Sequence, residues 1–389
     1  MRIMKQRHLI STAVACALIG TSASAANLVA DGRGNAMGNT GVTSADYLLA
    51  PFYNPALTAV YRDEDDFGIL APAIGFTARD TDESLTTLDD LQDTIEQYED
   101  SGSSNASLRN DLNTHLDNLS DDKPLAVSVG GGLAVAVPFG LVSGNFYTRG
   151  YAEIIAQTDI AESDTSIVDE DLRVADRYNN SNVNMAAFGY VEYGVALAKR
   201  MTVAGQDFSF GVTPKYQKLT TYSETLTVED FDLSDYDESE TSKSAFNLDL
   251  GAVWFYNNFR AGIAIKDLLS QEIETKDKTD KYKLDTQVTI SGSYATELLT
   301  ATLDFDVTTQ KRFSGSNDDT RFVRMGVEGN AWGWAQLRAG YEMDMEDTLD
   351  NSFTAGLGIS PGDLVSIDLA GSYAGDNQFG LSGNLAFTF

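Results

Sequence analysis

The stretch GRGNAMGNTG, residues 32–41, has the glycine density of a phosphate-cradling loop. A nucleotide-binding loop leaves a buried strand and opens a helix, with an acidic residue further on. GISPG, residues 358–362, matches G-x-S-x-G, the pattern of a nucleophile elbow. An elbow turns from strand to helix and needs a histidine after its serine. No histidine follows Ser360, and the segments on either side both alternate like strands, so GISPG reads as a hairpin turn. His115 stands among Asn113, Thr114 and Asp117 and reads as a solvated residue. The acidic runs DEDD at 63–66, DFDLSDYDESE at 230–240 and EMDMED at 342–347 are oxygen-rich enough for Ca²⁺ or Mg²⁺. None has the D-x-[DN]-x-[DN]-G loop that organises such a site, so they read as solvated loops. We expect no enzymatic activity, no cofactor and no metal.

The N-terminus decides the fate of the glycine loop. Residues 1–25 carry Arg2, Lys5 and Arg7, then an apolar run from Leu9 to Ile19, then Ala23-Ser24-Ala25. Basic start, short apolar core and A-x-A end form the signature of an export signal cleaved after Ala25. A membrane-spanning helix would need about 20 apolar residues, more than this run supplies. The only cysteine, Cys16, lies inside the signal, so disulfide, C-x-x-C and cysteine-metal chemistry are excluded from the mature chain. The glycine loop then sits near a mature N-terminus with no strand before it, and the dinucleotide reading fails. With 58 Asp+Glu against 27 Lys+Arg, the formal charge is −31. A nucleic-acid binder would be basic, so direct DNA or RNA binding is not expected.

From about residue 125 the dominant period is two. Phe246, Leu248, Leu250, Ala252 and Trp254 alternate with Asn247, Asp249, Gly251 and Val253, and the same holds for 299–307 and 364–373. Such alternation means strands with one apolar and one polar face. Candidate strands lie at 67–78, 125–137, 141–154, 185–199, 207–222, 244–256 and 258–266. Seven more lie at 285–295, 299–310, 321–330, 333–343, 352–360, 363–373 and 378–389. About fourteen strands, short turns alternating with long acidic connections, and the export signal predict an all-β transmembrane antiparallel barrel. A soluble sandwich would alternate in the same way, but its strands would be shorter. Asp249, Asp304, Asp306, Arg324, Glu328, Arg338, Glu342 and Asp368 fall on the polar face and are expected in the lumen. An Arg or Lys facing mid-membrane lipid would cost about 2–4 kcal/mol.

Residues 80–122 break the pattern. Leu85, Leu88, Leu91, Ile95 and Tyr98, then Leu108, Leu112, Leu116 and Leu119, recur at helical intervals. This predicts a two-helix insertion whose narrow apolar stripe is a packing seam.

Two stretches carry a resemblance. The chain ends on LSGNLAFTF, with Leu381, Leu385, Phe387 and Phe389 on one face. This ending is similar to the C-terminal signal read by the assembly machinery of bacterial outer-membrane barrels. GVTSADYLLAPFYNPALTAV, residues 41–60, with its Asn54-Pro55-Ala56, resembles the N-terminus of FadL-like outer-membrane proteins. Within that group the layout is most similar to the β-barrel family named for the conjugal transfer protein TraF. The resemblance implies a fourteen-stranded outer-membrane barrel for a hydrophobic small molecule, with an N-terminal hatch over 26–62 and the barrel over 63–389. Gly32, Gly34, Gly38 and Gly41, with Asn54, Pro55 and Ala56, would be hatch residues. Glycine allows tight turns and close backbone approach, and Pro55 fixes its φ. An alternative is a non-transporting structural protein of the envelope or conjugation apparatus, docking to partners through the acidic loops and helical pair.

Overall fold

A computed structural model describes residues 31–120, 124–229, 231, 240–276, 278, 280–314 and 319–389. The export signal expected over 1–25 and most of the acidic run 230–240 lie outside the described residues. Fourteen strands close into an antiparallel barrel: β1 (Gly68–Arg79), β2 (Leu125–Val137), β3 (Ser143–Asp159), β4 (Asn182–Val203), β5 (Gln206–Thr227), β6 (Thr241–Tyr256), β7 (Phe259–Lys266), then β10 (Gln287–Ala295), β11 (Leu299–Asp306), β12 (Phe322–Ala331), β13 (Ala335–Asp344), β14 (Ser352–Ile359), β15 (Val365–Gly375) and β16 (Gln378–Thr388). β1 pairs with β16 to close the ring, from Gly68↔Thr388 to Arg79↔Gln378. Closure leaves no strand edge unpaired, the condition for crossing a bilayer. The intervening β8 (Gln271–Glu274) and β9 (Lys281–Leu284) form a separate hairpin.

The alternation read from sequence sets the two walls. Phe246, Leu303, Leu369 and Leu381 are exposed on the outer wall, whereas Asn247, Asp304 and Asp368 are buried inside. Aromatic pairs line the outer wall in two rows. Tyr216–Phe246, Tyr341–Phe353 and Phe76–Phe379 lie toward the long loops, with ring centroids 5.3, 4.8 and 5.6 Å apart. Trp254–Tyr256, Phe259–Tyr294 and Trp332–Trp334 lie toward the short turns. Phe246 and Trp254 share β6 and are about 27 Å apart at strand rise. A strand tilt of about 40° brings that to roughly 21 Å, close to the apolar height of a bilayer-spanning barrel.

The two expected helices are α3 (Ser84–Asp100) and α4 (Ala106–Leu119), with Asn105 capping the latter. A third helix, α5 (Glu170–Asn179), occupies the β3–β4 connection, where no element was expected. Asp169 caps it by accepting from the Asp171 and Leu172 amides. Two shorter helices, α1 (Gly32–Ala36) and α2 (Ala50–Tyr53), belong to the N-terminal segment. The stripe Leu88, Leu91, Ile95, Leu112 and Leu116 packs against Val174 and Tyr178 of α5 and against Leu125, Ala156 and Met185. By strand parity those last three face outward. The helices therefore clothe the outer wall of β2–β5 beyond the upper aromatic row, and do not cap the lumen. This explains why β4 starts earlier and β5 ends later than the alternation suggested: the rungs added there, with Val183 and Leu226, are covered by helix. Leu116 is fully buried in this seam, and Leu116→Ala is expected to cost about 2–5 kcal/mol locally. Limited proteolysis should then nick residues 80–122 while the barrel keeps its heat-dependent gel mobility.

Candidate functional site

The lumen is filled by the chain's own N-terminal segment. α1 starts at Asp31, whose carboxylate accepts from the Gly34 amide at 2.7 Å and from the Tyr53 hydroxyl at 2.6 Å. The Gly32 amide donates to Asn384 Oδ1 on β16 at 2.8 Å. Gly38, at φ 65°, donates to Thr354 Oγ1 on β14 at 2.8 Å. The Gly41 and Val42 amides both donate to Asp304 Oδ2 on β11, at 2.9 and 3.1 Å. Asn54 is wholly buried; its Nδ2 donates to the Val42 carbonyl and its Oδ1 accepts from the Ala56 amide. Pro55 opens the 3-10 turn Pro55–Ala59, and the Ala56 carbonyl accepts from the Ser209 hydroxyl on β5 at 2.6 Å. Four walls of the ring thus hold one short segment.

The wall is paved for this fit. A Cβ at Gly211 would strike the Pro55–Ala56 backbone, one at Gly251 the Asn54 side chain, and one at Gly340 the Met37–Gly38 backbone. Within the segment, a Cβ at Gly34 or Gly41 would enter the Tyr53 ring. Sequence reasoning singled out the segment's glycines but not those of the strands. Strand glycine normally weakens a sheet and marks close approach of another backbone, which was the available signal.

The lumen charges named from the alternation point inward; all but Asp304, which accepts from the Gly41 and Val42 amides and the Ser291 hydroxyl, are in ion pairs. Arg33 reaches Glu328 at 3.0 Å and Asp46 at 3.9 Å; Glu328 also takes Arg338 at 2.7 Å, and Arg338 takes Asp368 at 2.5 Å. Arg324 bridges Asp306 at 2.9 Å and Glu342 at 3.0 Å, and Asn39 donates to Glu342. Asp249 belongs to a third cluster that the sequence reading did not assemble. There Lys215 Nζ stands 2.9 Å from Asp249, 2.8 Å from Asp267 and 3.4 Å from Glu192, while Arg149 meets Glu192 at 2.9 Å. Lys266 Nζ donates to the Phe52 carbonyl at 2.7 Å, tying this cluster to the segment. Leu385, Phe387 and Phe389 lie on the outer wall at the closing seam, where the Phe389 amide donates to the Phe67 carbonyl at 2.8 Å. Among the described residues no group of three His, Cys, Asp or Glu side chains is arranged to hold a metal ion.

Burial pushes the Asp31 carboxyl up to about 6, and the Asp368 and Asp46 carboxylates add to that against the opposing Gly34 and Tyr53 bonds. A raised carboxyl pKa favours the docked segment while the acid is protonated. That contribution is full below about 3.8 and is lost as pH rises through about 6. Release of the segment should therefore be up to about 100-fold more frequent at pH 7 than at pH 4. Asp31→Asn should flatten this dependence, read as the rate of maleimide attachment at Ser44→Cys divided, at each pH, by the rate for the same cysteine in the unfolded chain, which cancels the thiol's own titration.

A closed ring of fourteen strands, apolar outside and filled inside, defines a FadL-type barrel. In solved structures the similarity extends over most of this chain. The Ralstonia pickettii toluene transporter TbuX aligns at TM-score 0.52 with 13% identity, covering 93% of this chain and 99% of that one. The CymD monoaromatic hydrocarbon channel aligns at 0.55 with 9% identity, covering 93% and 98%. A Pseudomonas aeruginosa FadL homologue aligns at 0.50 with 10% identity, covering 95% and 99%. The family model described as "F plasmid transfer operon, TraF, protein" matches residues 51–306, and the chain belongs to that family. No curated protein matches it in sequence.

Proposed function

We propose that the protein is an outer-membrane barrel that passes a hydrophobic small molecule when its N-terminal segment shifts. In this reading residues 1–25 are the cleaved signal, 26–62 the hatch and 63–389 the barrel, with no enzymatic step. The observation that carries it is the seating of the hatch. One flank, through Leu48, Leu49, Phe52 and Leu57, is apolar and packs on Leu70 and Ala73. These two residues border the break in the β1 ladder, where register shifts against both β16 and β2. An apolar core beside an interrupted ladder suits sideways release of an apolar molecule into lipid, a path that avoids the charged lumen. Gly32, Gly34, Gly38, Gly41, Asn54, Pro55 and Ala56 would set the closed position. Leu385, Phe387 and Phe389 would be read by the barrel-assembly machinery. The likeness to the toluene transporter TbuX and the monoaromatic hydrocarbon channel CymD suggests compounds of toluene size.

The second reading, a non-transporting envelope or conjugation-apparatus protein, draws on the filled lumen and the acidic helical layer. Purified protein that shifts on heating, reconstituted into liposomes, should admit toluene faster than protein-free liposomes. A heat-shifting barrel that admits none would leave the structural reading.

A further inference from the structure

The β8–β9 hairpin belongs to no barrel ladder and folds into the outer half of the lumen. Ile273, Tyr282 and Leu284 are buried there, packed with Phe188 of β4 and Leu219 of β5. The Tyr282 ring lies on Phe188 with planes 5° from parallel, and its hydroxyl donates to Glu153 of β3 at 2.9 Å. The Thr221 hydroxyl of β5 donates to the Glu274 carbonyl at 3.0 Å. The hairpin thus covers the lumen on the side of the long loops, opposite the N-terminal segment.

Strand β7 is tied directly to both. Toward the segment, Arg260 Nη1 donates to the Thr43 carbonyl at 3.2 Å and the Ile263 carbonyl accepts from Asn54 Nδ2 at 3.3 Å. Lys266 Nζ donates to the Phe52 carbonyl at 2.7 Å. The next residue, Asp267, starts the connection to the hairpin at φ 52°, a left-handed conformation that a non-glycine residue keeps when its surroundings fix it. Its amide donates to Asp249 Oδ1 at 2.8 Å, and its Oδ1 accepts from Gln217 at 2.9 Å and meets Lys215 Nζ at 2.8 Å. Its carbonyl accepts from the Thr286 hydroxyl, on the other leg of the hairpin, at 2.9 Å. The root of the hairpin and an anchor of the segment are therefore adjacent residues. A second arrangement of this junction is available. Asp249 Oδ2 is buried without a hydrogen-bond partner among the described residues. Asp249 and Lys266 each lie one rung beyond the Leu250↔Ile265 pair, both on the inward face. Cross-strand neighbours have Cβ atoms about 4.5–5.5 Å apart, so the Lys266 ammonium can hold Phe52 or turn to Asp249.

Resting on the reading of the N-terminal segment as a movable hatch, we propose that the β8–β9 hairpin is an outer lid and that β7 couples its opening to release of the hatch. Lifting the lid draws Asp267 away from Lys215, Gln217 and Asp249. Lys266 then turns from the Phe52 carbonyl to the vacated Asp249, and the hatch loses that anchor. The junction is a two-state element biased from both ends. Such coupling is reciprocal, so a displaced hatch also loosens the lid.

Cys16 is the chain's only cysteine and lies in the expected signal, so single engineered thiols report each gate. The test is maleimide labelling of folded, heat-shifting barrel in detergent, at Ile273→Cys for the lid and Ser44→Cys for the hatch. Tyr282→Ala should speed labelling at both sites by about tenfold, within the usual range of coupling between sites. Tyr282→Phe, which loses only the Glu153 bond, should do so to a lesser degree. Lys266→Met should cut the link, so that adding Tyr282→Ala speeds Ser44→Cys labelling less than about threefold, and Lys266→Arg, which keeps a donor, should restore it. Asp267→Gly, which tolerates the left-handed φ, severs the same junction if Lys266→Met gives no heat-shifted band. A probe merely admitted through an open lid would ignore Lys266, so the full Tyr282→Ala effect in both cut backgrounds would overturn the proposal. So would unchanged Ser44→Cys labelling while Ile273→Cys shows the lid open. In the reverse direction, Gly340→Val, which crowds the Met37–Gly38 backbone, should speed labelling of Ile273→Cys. Ser44→Cys that labels in Gly340→Val but is indifferent to the lid would sink the coupling alone. Ser44→Cys that labels in no variant would sink the hatch reading with it.

Discussion

Gly340→Val is expected to drive the N-terminal segment out of the lumen while leaving the barrel closed. The added side chain would meet the Gly38 amide nitrogen and the Met37 carbonyl carbon, which are backbone atoms. No rotamer change can relieve that contact. Overpacking of this kind costs about 1–3 kcal/mol, enough to raise exposure of the segment by roughly 5- to 150-fold. Ser44 is buried in the segment, and Ser44→Cys provides a thiol for a maleimide probe. In the Gly340→Val background its labelling should accelerate by at least tenfold, with the heat-dependent gel shift retained. Unchanged labelling in a folded barrel would mean that the wall yields to the segment. The glycines would then not set its seat.

The wall itself was legible because period two needs only neighbouring residues. Phe246 and Asn247 take opposite faces wherever the strand lies, so strand number and lumen-facing charges such as Asp304 and Arg324 follow from local pattern. What periodicity cannot tell is which surface an apolar stripe covers. Leu91 and Leu116 read as a seam between two helices, which they are, but the seam continues onto Ala156 and Met185 of the outer wall. In the bare alternation these outward residues resemble lipid-facing ones. α5 was missed because Val174 and Tyr178 alone make its apolar face in a polar connection, although Asp169 offered a cap. The β8–β9 hairpin is too short to alternate convincingly, and its place in the lumen rests on tertiary partners such as Phe188. The Lys215 cluster was hidden for the same reason. Lys215, Glu192 and Asp267 are far apart in the chain, and only the pairing register of β4 with β5, β5 with β6 and β6 with β7 brings them together.

That cluster carries the second large effect. Lys215 is completely shielded and lies within 3.4 Å of three carboxylates, those of Glu192, Asp249 and Asp267. Arg149 answers part of the negative charge at Glu192, and Gln217 donates to both Glu192 and Asp267. Lys215→Met keeps the length of the side chain but leaves the Asp249 and Asp267 carboxylates without their cation. Removing one partner of a buried ion pair costs about 3–5 kcal/mol, because the remaining charge stays desolvated. The variant should show a markedly lower urea midpoint in detergent micelles, or fail to give the heat-shifted band at all. Adding Asp249→Asn removes one of the stranded charges and should recover part of the loss. Recovery would identify charge imbalance as the cause, whereas equal damage in the single and double variants would point to lost packing around the lysine stem. An unchanged midpoint in Lys215→Met would mean that water reaches the cluster, and that the lumen at this level is open enough to conduct.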